Sequence, residues 1–116
     1  SDVAYHDFEG IATDLEERER LVKDLGTHNL MILRNHGTLT VGEEVADAFL
    51  RMYFLERACE TQIAAQAGGG ALIPPPPGSA EKTAEIAKGG IAPVGRGLAW
   101  PALRRKLDRI DPSYAS

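Results

Sequence analysis

The stretch Leu30-Met31-Ile32-Leu33-Arg34-Asn35-His36-Gly37-Thr38-Leu39-Thr40-Val41 decides how the chain folds. Leu30 to Arg34 reads as a buried strand, being apolar, short and free of Gly and Pro. Asn35-His36-Gly37 breaks the run, and Thr38 to Val41 resumes an extended pattern rich in β-branched side chains. Asn and Gly both tolerate φ > 0, so one on each side of a single His suits a tight turn. Such a turn holds the imidazole at the end of a strand, where α/β sheets commonly place ligands.

A long helical segment follows, from about Gly42 to Ala67. Glu43 and Glu44 fall in its first turn, where carboxylates suit the positive end of the helix dipole. Val45, Phe49, Met52, Leu55, Cys59 and Ile63 recur at steps of three and four, the stripe of a core-facing helix. Leu50, Tyr53 and Phe54 widen the apolar arc, so this helix is expected to be covered on two sides, by another layer or a neighbouring subunit. The single cysteine, Cys59, rules out an intramolecular disulfide framework and reads as a buried, inert thiol.

Ahead of the deciding stretch, Val3 to Phe8 reads as a strand with Tyr5 and Asp7 on one face and His6 and Phe8 on the other. His6 has no partner at metal-ligand spacing and reads as an ordinary strand histidine. Thr13 or Asp14, each with a Glu three residues on, opens a helix. That helix is expected to turn Leu15, Leu21, Val22 and Leu25 inward, to leave the Glu16 to Arg20 charge run in solvent, and to end at Gly26. His28 reads as exposed. Beyond the long helix, Gly68 to Ser79, with its run Pro74 to Pro77, reads as a surface connection. A short helix over Ala80 to Lys88 is expected to stop at Gly89-Gly90. Ile91 to Ala99 reads as irregular, its Gly95-Arg96-Gly97 too short for a phosphate loop, and a last helix runs from Pro101 to Ile110. The chain therefore divides into 1–67, 68–79 and 80–116.

Hydrophobic content of 43% and charged content of 26% are ordinary globular values. A net charge of −4 argues against nucleic-acid binding, and Arg104, Arg105, Lys106 and Arg109 read as one solvated helix face. Neither a membrane span nor a signal pattern is visible, which makes a cytoplasmic protein the expectation.

Leu33-x-Asn35-His36-Gly37-x-x-x-x-Gly42, with the helix pattern Ala46-x-Ala48-Phe49 and then Glu56-x-x-x-Glu60, resembles the C-terminal half of the class II aldolase/adducin domain over roughly Val3 to Ala67. The resemblance implies an α/β/α layered fold and homo-oligomers, commonly tetramers. It implies a metal-dependent, zinc-type lyase acting on a small hydroxylated carbonyl compound or sugar phosphate. His36 matches the metal ligand that the family places in this turn. The family's other ligands, a His-x-His pair, and its catalytic carboxylate lie upstream of this sequence, which has only His6, His28 and His36. The chain is accordingly read as part of a longer protein, inactive alone, its opening on a strand rather than a leader pointing the same way. Tyr114 is a candidate acid, although a disordered tail is the plainer reading. A non-catalytic, adducin-like interaction module is the alternative, and a small α+β domain whose His36 merely hydrogen-bonds in its turn is the plainest.

Overall fold

The computed structural model describes residues 3–10 and 15–115, and the two helix-capping candidates Thr13 and Asp14 lie outside them. Three strands form one small mixed sheet in the order β1-β2-β3: β1 is Val3–His6, β2 Leu30–Leu33 and β3 Gly37–Thr40. β1 pairs with β2 in parallel, Val3 opposite Leu30 and His6 opposite Leu33. β2 pairs with β3 antiparallel, Leu30 opposite Thr40 and Leu33 opposite Gly37. Met31 lies at the centre of this sheet, flanked by Ala4 and Leu39, and is 0% exposed. Burying such a side chain contributes about 2–3 kcal/mol.

α1 (Leu15–Leu25) is the crossover that the parallel β1–β2 pairing requires. Gly26 caps it as expected, at φ 53°, its N–H donating to the Val22 carbonyl at 3.1 Å. The inward face is only partly the expected one, since Leu21 and Leu25 are half-buried. Leu15 is 70% and Val22 67% exposed, whereas Glu17, within the charge run, is buried. Glu17, Leu21 and Asp24 share a helix face at i, i+4 and i+7, and Glu17 and Asp24 are drawn to the His6 ring on β1. His28 is half-buried rather than exposed, its Nδ1 3.1 Å from the Leu25 carbonyl oxygen at the end of α1.

α2 (Val45–Ala67) is a 23-residue helix about 35 Å long. It lies against β3, where Thr40 donates to the Ala48 carbonyl at 2.8 Å and Thr38 to Glu56 Oε1 at 2.6 Å. Arg51 Nη1 reaches the Val41 carbonyl at 2.6 Å. Its buried face is rotated from the expected stripe. Ala46, Asp47, Leu50 and Leu55 are buried, Val45, Phe49 and Ile63 are exposed, and Cys59 is half-buried.

The rotation has its cause in the last third of the chain. α3 (Ser79–Val94) runs through Gly89-Gly90 instead of stopping there, passes Pro93, and continues through a π turn, Gly95–Ala99, into α4 (Trp100–Ile110). The expected irregular segment Ile91 to Ala99 is thus helical. Each glycine costs about 1 kcal/mol in a helix, and the packing of the π turn on α2 outweighs this. Trp100 N–H donates to the Gly95 carbonyl, the wider i to i+5 register that accommodates a helix carrying Pro93 and Pro101. Gly95 is buried against α2, and a Cβ there would stand 3.3 Å from the Ala46 carbonyl oxygen and 3.4 Å from Leu50 Cδ2. Trp100 meets Phe49 edge-on at 5.5 Å.

Arg96 locks the joint. Its Nε donates to Asp47 Oδ1 at 2.8 Å, its Nη2 to Asp47 Oδ2 and to Glu43 Oε2 at 2.9 Å, and its Nη1 lies 3.4 Å from Glu44 Oε1. The Arg96 guanidinium holds the Asp47 carboxyl below its usual value near 3.8, opposed by burial and assisted by the Glu44 N–H. Because the folded pKa is the lower one, this contribution to stability is complete above about pH 4 and is lost as pH falls through the depressed value. Asp47→Asn is therefore expected to unfold more readily at neutral pH and to show a flatter acid limb, read by circular dichroism across pH. Arg96→Met should lower the unfolding midpoint more than Arg57→Met, because Asp47 is 1% exposed while the Arg57 partner Glu60 stands in solvent.

Candidate functional site

The end of the sheet that carries β1 His6 and β2 Leu33 also carries the Asn35-His36-Gly37 turn. His36 N–H donates to the Leu33 carbonyl at 3.0 Å, closing the turn, and Arg34 N–H donates to the His6 carbonyl at 2.9 Å, tying the turn to β1. Asn35 is the only described non-glycine residue at positive φ, 55°. Gly37 is not left-handed, so the turn draws on one of its two permissive residues. Asn35→Gly is expected to leave stability near its starting value, whereas Asn35→Val should cost about 1–2 kcal/mol in thermal unfolding, a β-branched side chain being strained there.

The alternation read from β1 holds around this turn. On one face, Arg34 Nε pairs with Asp7 Oδ1 at 3.0 Å and its guanidinium lies 4.9 Å over the Tyr5 ring. On the other, the Phe8 ring centroid stands 6.3 Å from that of His36, tilted by 37°. His36 is exposed. It shares a small cavity of about 40 Å³ with His6, Phe8, Glu9, Glu17 and Leu33.

His6 is not an ordinary strand histidine. Its ring is 4% exposed, and its Nδ1 lies 2.8 Å from Asp24 Oδ2. Nε2 stands 3.7 Å from Glu17 Oε1 and 3.8 Å from Glu9 Oε1, and it is buried without a hydrogen-bond partner among the described residues. Glu9 is itself clamped by Arg20, whose Nε donates to it at 2.9 Å.

Residues 1–63 match the family described as class II aldolase and adducin N-terminal domain. The chain belongs to the class II aldolase and adducin family. It is 51% identical, over 114 residues, to a protein of Caulobacter vibrioides whose name assigns it to aldolase class 2, covering 97% of this chain and 44% of that protein. It is 37% identical over 123 residues to the alpha-adducin of Mus musculus, covering 94% of this chain and 16% of the adducin. The crystal structure of an aldolase II superfamily protein from Pseudomonas syringae matches with a TM-score of 0.88 at 49% identity, covering 100% of this chain and 47% of that one. This member of the aldolase and adducin family thus spans less than half the length of the bacterial relatives it matches.

Against the metal that the family implies, the donors of this chain fit only as part of a set. His36 offers one accessible imidazole, but among the described residues no group of three His, Cys, Asp or Glu side chains is arranged to hold a metal ion. His6 does not complete such a set, since Asp24 occupies its Nδ1. Tyr114 is not at this end of the molecule's chemistry either. It sits in a 3-10 turn, Pro112–Ala115, donates to Asp108 Oδ1 at 2.5 Å, and lines a separate apolar cleft with Phe49, Trp100 and Leu107. The buried Glu17 and the exposed Asp24 were hidden in an ordinary-looking helix face. The only signal for them was their i, i+7 spacing opposite a strand histidine.

No described helix is long and apolar enough to cross a membrane.

Proposed function

We propose that this chain supplies one ligand, His36, to a divalent-metal-dependent, aldolase-type lyase that cleaves or forms a carbon–carbon bond in a small hydroxylated carbonyl compound, sugar phosphates included. One observation carries the reading: an exposed imidazole is held at a strand end by a left-handed Asn turn, in a chain of the class II aldolase and adducin family. In this reading residues 1–67 form the later part of an α/β/α layered domain, 68–79 a connection and 80–116 a helical extension. The remaining metal ligands and the catalytic carboxylate come from outside this sequence, zinc is the favoured metal, and the protein works in the cytoplasm as a homo-oligomer, a tetramer by resemblance.

A bound divalent cation supplies Lewis-acid polarisation of substrate oxygens. The residues of this chain do the positioning. The Leu33 carbonyl and the Asn35 conformation fix the main chain of His36, and Phe8 borders its ring on the sheet side. The full-length protein is expected to lose aldol cleavage on exhaustive chelation and to regain it with Zn²⁺ or another divalent ion. Cleavage that survives complete metal removal contradicts the reading.

A second reading has its own support in the 37% identity to alpha-adducin over 94% of the chain. Here the same domain serves as a non-catalytic interaction or oligomerisation module. The full-length protein would then assemble but neither bind metal through His36 nor cleave an aldol.

A further inference from the structure

We propose that prolines 74–77 of one copy of this chain dock in the apolar cleft along α4 of a second copy, the two copies exchanging segments reciprocally. The docking supplies a contact for the homo-oligomer proposed above and does not depend on the lyase chemistry.

Two features of the surface lack a partner, and their chemistry matches. The first is the cleft, about 580 Å³, lined by Phe49, Trp100, Leu103, Leu107, Ile110 and Tyr114. Trp100, Leu103, Leu107 and Ile110 follow one another at steps of three and four, so they share one face of α4. Phe49 covers the Trp100 end of that face, while Ile110 at the other end is 67% exposed. Tyr114 is held at the wall by its hydrogen bond to Asp108. The Trp100 indole N–H has no hydrogen-bond partner among the described residues. Aromatic rings around a free indole donor suit an occupant that is apolar and carries acceptors.

The second feature is the proline run. Residues 69–78 are exposed throughout and 69–76 lie in no helix, strand or turn. Ile73, directly before the first proline, is 94% exposed. Proline fixes φ and has no N–H, so four in succession hold a polyproline II helix with carbonyls open as acceptors. Only the Pro76 carbonyl has a described partner, Ser79, whose N–H and Oγ–H donate to it at 3.2 and 2.6 Å. This sets the angle at which the prolines leave α3. Such a preformed segment loses little freedom on docking, and aromatic-lined grooves are what it docks in. The charges agree. Arg104 and Lys106 line the cleft, Glu81 follows the prolines in the first turn of α3, and none of the three has an ion-pair partner among the described residues.

The chain thus carries both halves of a contact that it does not make with itself. The 16 residues of α3, about 24 Å of helix, separate the prolines from the π turn that leads into α4. A second copy supplies the missing half, and reciprocal exchange closes a twofold pair with no open end.

The test uses two preparations of the full-length protein in a cysteine-free background. One carries Ile73→Cys, the other Ile110→Cys, both at exposed positions that should leave the fold intact. Mixed under oxidising conditions, they are expected to form a disulfide between copies, which needs Cα atoms within about 7 Å. Val22→Cys, equally exposed on α1, replaces Ile110→Cys as the control and should give about tenfold less mixed dimer. Adding Pro74→Ala and Pro75→Ala to the Ile73→Cys chain should cut the yield about tenfold, because the segment must then be ordered on docking. Trp100→Phe keeps a ring but loses the donor, and should cut it about fivefold. No mixed dimer, a yield equal to the control, or a yield untouched by the proline substitutions overturns the docking and leaves the lyase reading standing. Absence of aldol cleavage overturns that reading, while the cross-link still decides the docking.

Discussion

His36→Ala in the full-length protein is expected to weaken divalent-metal binding by about 100-fold or more while leaving the fold and its unfolding midpoint close to those of the parent. The two halves of this expectation come from the same observation. His36 is exposed, at the tip of the β2–β3 turn, and the hydrogen bond that closes the turn is made by its main-chain N–H, which alanine retains. Its side chain packs only loosely, its ring centroid 6.3 Å from that of Phe8. Truncating it therefore removes a donor and little else. Isothermal titration with Zn²⁺ and a thermal melt on the same samples check both halves. Unchanged stoichiometry and affinity would remove His36 from the metal site, and a collapsed melt would show that the ring supports the turn.

Gly42→Ala is expected to destabilise the chain by about 3 kcal/mol, the upper part of the usual range for overpacking. Gly42 precedes α2, where the chain leaves β3 and turns into the helix. A Cβ on it would stand 2.6 Å from Asp47 Cβ, 2.8 Å from the Ala48 nitrogen and 3.0 Å from the Glu44 carbonyl oxygen. Two of these atoms are main chain, in the first turn of α2, and neither can swing aside as a flexible side chain would. The helix start would have to shift, and with it Asp47, which holds Arg96 and so the π turn. Gly37→Ala is the control. That position has nothing within 4 Å of an added Cβ and a φ outside the left-handed region, so its midpoint should stay near the parent's, whereas that of Gly42→Ala should fall by about 10 °C or more.

The strand–turn–strand–helix order from Leu30 to Ala67 was legible because each part is a local matter: a short apolar run, a residue that tolerates φ > 0, then a helical period. The Tyr5/Asp7 and His6/Phe8 faces were legible for the same reason, strand alternation being independent of what lies opposite. What escaped was set at a distance. Asp47 is buried because Arg96, 49 residues on, reaches it, and a pattern that sorts residues by polarity puts such an aspartate outside. Glu17 faces inward because His6 lies across from it, while Leu15 and Val22, two of the four apolar positions expected inward, stay in solvent. Gly89-Gly90 and Pro93 carry genuine stop signals, overridden where Gly95 lets the π turn settle on Ala46 and Leu50. Of the candidate site, His36 and its turn were legible. The Asp24–His6–Glu17 cluster was not, because nothing in the sequence says that α1 turns two carboxylates toward β1.

A crystal structure of the full-length protein with Zn²⁺, with anomalous data collected at the zinc edge, tests the central claim most directly. The account predicts a peak about 2.0–2.1 Å from one ring nitrogen of His36, with the other ligands drawn from residues beyond this sequence. A zinc peak coordinated without His36, or none on a fully loaded protein, would contradict it.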